Sequence, residues 1–151
     1  MWLRIFGRSL QLVPPVKLIE RLHEMGFPVV PSFKGDDLGW TEGSLALESG
    51  SPILLSRYLS KEDDLRDDLN AYAAELESMS FQPAAAGLME RVIQTQQLIT
   101  VRKPVDFANE VRLDALCETI CRTLAELTDG VYQIDGRGWF AAGGNQLIQE
   151  Y

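Results

Sequence analysis

Apolar residues recur along this chain with two periods, and the switches between them mark the elements. Leu3, Ile5, Leu10 and Leu12 fall at alternate positions on either side of Gly7. That pattern predicts a strand over 2–13, broken or bulged at the glycine. Pro14-Pro15 stops it. Leu18, Ile19, Leu22 and Met25 follow at helical spacing, so 15–25 reads as an amphipathic helix that opens on a proline and is capped by Gly26. Val29-Val30 between prolines predicts a short or edge strand. Residues 32–43 (SFKGDDLGWTEG) have no period and are rich in Gly and Asp, which reads as a loop.

Two apolar runs, 43–49 and 52–59, flank Gly50-Ser51. The Gly-first order predicts a hairpin closed by a type II′ turn. Ser60 and Asp63 resemble a capping box, and acids crowd the turn that follows. Leu65, Leu69, Tyr72, Leu76 and Met79 then form one stripe, predicting a helix over 61–79. Pro83 opens another helix carrying Leu88, Met89, Val92 and Ile93; 97–102 (QLITVR) is strand-like; a long helix covers about 106–128 and closes at Asp129-Gly130. The tail, with runs at 131–135, 139–142 and 146–151, predicts a hairpin or three-strand meander. A helix precedes a hairpin twice, at 15–59 and at 106–150, but the residues do not match, so this is a hint of topology and not a repeat.

These elements predict an α+β fold: a mainly antiparallel sheet of about five to seven strands with three or four helices packed mostly on one face. No stretch has linker composition, and 151 residues suit one domain over 1–151. The longest apolar runs fall short of the ~18–20 residues of a spanning helix. The N-terminus, interrupted by Arg4, Gly7 and Arg8, does not follow the pattern of a secretory signal. A soluble, cytoplasmic protein is the expectation.

Charge narrows the function classes. Fourteen Lys and Arg stand against 22 Asp and Glu, a formal net charge of -8. Nucleic-acid binding draws affinity from cations placed on phosphates, and anionic membranes demand the same, so neither partner is expected. Acids concentrate at 61–77, where seven against two bases carry -5 of the total. This face, with Asp64, Asp67 and Asp68, is either solvated or a docking face for a protein with a basic surface. Homo-oligomerisation is left open by the pattern.

The candidate chemistry is sparse. Cys117 and Cys121 share a helix face, but a structural zinc site wants four ligands and His23 is the lone histidine. Both cysteines lie in the apolar stripe, which favours core packing, and no metal or other cofactor is expected. His23, beside Glu20 and Glu24, has no evident nucleophile or orienting partner. The string GRGWFA at 136–141 matches a dinucleotide fingerprint, yet too few residues follow for a crossover helix and strand, so a hairpin turn accounts for it. Two loops remain as candidate sites: 32–43, with Asp36, Asp37 and Trp40, and the terminal hairpin, with Arg137 and Trp139. The favoured reading is a small non-enzymatic interaction or accessory protein. The alternative is a carboxylate-based, metal-dependent enzyme acting on a phosphate-containing substrate, built on Asp36, Asp37 and Asp135.

Overall fold

The structure is a computed structural model and describes residues 1–47, 50–105 and 109–150. Its strands are β1 (Trp2–Gly7), β2 (Val30–Asp36), β3 (Gly39–Ala46), β4 (Ile53–Leu59), β5 (Gln97–Arg102), β6 (Gly130–Ile134), β7 (Gly138–Ala141) and β8 (Gln146–Gln149). Its helices are α1 (Pro15–Glu24), α2 (Arg66–Glu77), α3 (Ala85–Ile93) and α4 (Glu110–Leu127). Among the described residues the strands form one sheet in the order β2-β3-β4-β5-β1-β6-β7-β8, with neighbours antiparallel throughout. The α+β class and antiparallel sheet agree with the sequence pattern; the sheet has eight strands, and the segment read as a loop supplies most of β2 and the start of β3.

That segment, 32–43, is a hairpin: β2 pairs β3 from Val30↔Ala46 to Asp36↔Gly39, with a bulge between Lys34 and Gly35. Its period is hidden because β2 is an edge strand exposed along most of its length. Alternation signals burial of one face, and an edge strand that buries little carries little of that signal. Pro31, Lys34 and the bulge also blunt the open edge against pairing with another strand.

The hairpin predicted from Gly50-Ser51 pairs as expected, Leu45 with Ile53 and Ser44 with Leu54. The described part of β3 ends at Ala46 and β4 begins at Ile53. Residues 48 and 49 of the predicted strand lie outside the described residues, as do 106–108 of the predicted long helix and 151 of the tail.

Two other boundaries move. The 61–79 helix starts only at Arg66, since Asp64 takes φ 51° and breaks the helical path. The Asp63 carboxylate accepts from the Leu59 backbone N–H at 2.7 Å, so it caps a turn and not the helix. The predicted strand 2–13 ends at Gly7, where an added Cβ would lie 2.6 Å from Thr128. Beyond it the chain leaves the sheet and is tied down by side chains. Gln97 donates to the carbonyls of Ser9 (2.6 Å) and Gln11 (2.9 Å), and the Trp40 indole donates to Val13 (2.9 Å).

The helices cover both faces of the sheet, which corrects the expectation that they pack mostly on one. Ile5, Ile99, Tyr132 and Phe140 point to α1 and α4 and join Leu18, Leu22, Leu116 and Ile120 in the larger core. Their neighbours Phe6, Leu98, Val131 and Trp139 point the opposite way, toward Leu69, Leu76, Leu88 and Val92 of α2 and α3. Strand side chains alternate between faces. Consecutive apolar residues in β1, β5, β6 and β7 therefore demand two cores, and the helices split to supply them.

Candidate functional site

The second face is only half covered. Across it the register makes continuous rows of side chains. One row runs Tyr58, Leu98, Phe6, Val131; another runs Glu42, Ser56, Thr100, Arg4, Gln133, Trp139, Ile148. Along the second row the β3–β5 positions are polar, while Trp139 and Ile148 are buried apolar residues. Helices α2 and α3 sit where the apolar surface is. Tyr72 of α2 stands on Phe6 with ring centroids 5.3 Å apart, and the Arg4 guanidinium lies 5.5 Å from its ring.

Toward β3, β4 and β5 the face opens to solvent. Its rim row is Ser44, Leu54, Arg102 and Trp2. Trp2, Leu54 and Tyr58 are 40%, 42% and 39% exposed, and Arg102 lies over the Trp2 ring at 5.5 Å. A concavity of about 430 Å³ opens here between Trp2, Leu54, Arg102, Pro104 and Val105. Exposed Trp, Tyr and Arg on a rigid sheet are the side chains that protein interfaces favour. Asp64, Asp67 and Asp68 are exposed at the start of α2 and form no ion pair among the described residues.

The other candidates fall in separate places. Trp40 is 6% exposed and belongs to the larger core, with Phe33 edge-on at 5.2 Å. Asp36 accepts from Leu38 N–H at 2.8 Å, an Asx turn closing the β2–β3 hairpin, and Asp37 is exposed at its tip. Trp139 is fully buried against Phe6. Arg137 stacks on Phe140, which points into the opposite core, and pairs with Glu118 at 3.6 Å, so Arg137 and Trp139 do not share a surface. Gly136 (φ 76°) and Gly138 (φ 125°) make the hairpin turn read from GRGWFA. Asp135 is bound by Arg4 at 2.6 Å. Its β6 strand end lies five strand spacings from β2, about 24 Å. Asp36, Asp37 and Asp135 are thus not brought together. Among the described residues no three His, Cys, Asp or Glu are placed to hold a metal, and no helix is long and apolar enough to cross a membrane.

His23 Nε2 lies 3.3 Å from the Val29 carbonyl oxygen. Cys117 and Cys121 are free and buried in the larger core. Burial pushes the Cys117 thiol up to about 12 and the Cys121 thiol well above its usual range. Thiolates are the reactive form, so neither cysteine should react with a thiol reagent at pH 8 in the native protein, and both should react once it is unfolded in guanidinium. The same burial makes alkali destabilising. The unfolded thiols lose protons near 9, while folded Cys117 holds its proton to about 12 and folded Cys121 is raised in the same direction, so stability present below pH 9 is lost as pH rises through that window. Urea midpoints measured between pH 8 and 11 should fall steadily, and less so in Cys117→Ala.

Sequence reasoning missed Arg57 and Gln97. Arg57 is 5% exposed; its Nε donates to Gln97 Oε1 at 2.9 Å and its Nη1 to the carbonyls of Leu38 and Trp40, each at 3.2 Å. Burial lowers its pKa, opposed by the nearby charges of Asp36 and Asp63. One signal was available: Arg57 stands at an inward position of the alternating run 53–59, where a charge needs partners. Comparison of the chain with family models, curated proteins and solved structures finds no match. The class of protein is therefore defined by architecture and surface alone, as an α+β domain with one sheet face half open.

Proposed function

We propose that this protein is a non-enzymatic interaction module that docks a protein partner on the open half of its sheet. The observation that carries this reading is the exposure of Trp2, Leu54 and Tyr58 on strands whose other face is fully packed. Backbone positions there are held by the sheet, so binding would order few groups and lose little conformational freedom. The acidic start of α2, on the same side of the sheet, favours a partner with a basic rim, since complementary charge raises the association rate and rejects wrong partners.

The test is Leu54→Ser with Tyr58→Ser, compared with Asp64→Lys, Asp67→Lys and Asp68→Lys, in proximity labelling from the source cells. The aromatic-face pair should remove a specific protein from the labelled set. The charge reversal should weaken its capture, with wild-type capture declining as salt rises. An unchanged labelled set in the Ser pair, with thermal unfolding close to wild type, would sink the proposal. No specific observation favours the phosphate-enzyme reading, because its three carboxylates are dispersed.

A further inference from the structure

A second cavity, distinct from the open sheet face, lies where α3 meets the end of α4 and the β7–β8 hairpin. Its volume is about 520 Å³, within the range of sites that take small organic ligands. The space exists because small residues stand where larger ones would fill it: Ala84 and Gly87 on one wall, Ala125 and Ala142 on the other, over Leu88 and Leu147. Gly87 is inside α3, and a Cβ there would meet nothing within 4 Å.

The charges around this cavity are unequally matched. Of its acids, Asp129 is held by Arg8 at 2.9 Å and Glu126 is approached by Arg21 at 3.4 Å. Arg91, the cavity's cation, has no ion pair among the described residues. Its Nε is shut off from solvent without an acceptor, and its Nη2 has only a 3.5 Å contact with the Asp129 carbonyl. Nη1 and Nη2 form the end of the guanidinium, which binds a carboxylate through two parallel hydrogen bonds. These terminal nitrogens have no charged acceptor among the described residues, and an arriving carboxylate would supply one.

We propose that this cavity binds a small apolar monocarboxylate, with the carboxylate on Arg91 and the apolar body over Leu88, Leu147 and the surrounding alanines. Apolar lining selects the body of the ligand. The adjoining Asp129 and Glu126 select single over double negative charge, since a dianion would be repelled by both.

Decanoate and decanol are the probes, titrated into the 15N-labelled protein below their aggregation limits. Decanoate should shift resonances of α3, Asp129 and β7, and should bind about ten-fold or more tightly than decanol, as a charge-assisted pair implies. Arg91→Met should erase that preference while leaving decanol binding in place. Gly87→Leu should fill the cavity and abolish both; the change replaces a poor helix former with a good one, so folding should not suffer. Equal affinity for decanoate and decanol, decanoate binding that survives Gly87→Leu, or no shifts at about 1 mM decanoate would each overturn the proposal.

Discussion

Trp139→Ala should cost about 3–5 kcal/mol, the range for removing a buried large aromatic side chain. The ring is fully buried, its centroid lies 5.0 Å from that of Phe6, and it sits in the same core as Leu69, Leu76, Leu88 and Ile148. It is therefore a link between the C-terminal hairpin and the α2–α3 pair. Its indole Nε1 is buried without a hydrogen-bond partner, which identifies packing and not polar anchoring as its contribution. A domain of this size has roughly 5–15 kcal/mol in total, so the variant should be marginal at 37 °C. Equilibrium urea unfolding measures it directly. A loss below about 1 kcal/mol would mean the ring is not held in a packed core, since surface changes cost at most a few tenths. Phe should recover much of the loss, because it restores most of the ring's volume and has no N–H to satisfy.

Arg57→Met should cost about 2–4 kcal/mol, from lost charge-assisted hydrogen bonds and the acceptors they leave behind. The methionine keeps the aliphatic stem, so the loss reports the guanidinium. That group joins β4 to the β2–β3 turn through Leu38 and Trp40 and to β5 through Gln97. Gln97 in turn holds the carbonyls of Ser9 and Gln11. One substitution should therefore loosen two distant segments, 8–13 and 36–40, before the sheet itself opens. Hydrogen exchange should rise in both, with β1, β5 and β6 still protected. Loss of protection confined to β4 would show that the two segments are not coupled through Arg57. Gln97→Leu should reproduce the exchange at 8–13 without that at 36–40, which separates the two arms of the network.

Much of the fold was legible because burial leaves a periodic trace. Helices α1, α3 and α4 and strands β4 to β8 carry apolar residues at the spacings their geometry requires, and Gly26, Gly136 and Gly138 punctuate them at positive φ. Of the edge hairpin, the start of β2 at Val30 and the end of β3 from Gly43 were legible, but residues 32–42 were not, because an edge strand with few buried side chains has little period to show. Nor was the true start of α2, since the acids at 62–64 suit a helix N-terminus and a turn equally well; Asp64 in the left-handed region decided between them.

The candidate site divides along the same line. Composition and spacing alone determined the α+β class, the antiparallel pairing of the hairpins, the acidity of 61–77 and the placement of both cysteines in a core, for each of these is local or additive along the chain. Tertiary structure alone decided that Trp40 and Trp139 are core residues, that Asp36 and Asp135 are far apart, and that Arg91 faces a cavity without an acid of its own. It also decided which half of the sheet stays open. Those properties depend on strand order and on which helix covers which face, and they arise from contacts between residues distant in sequence, where the periodicity of a single segment carries no information.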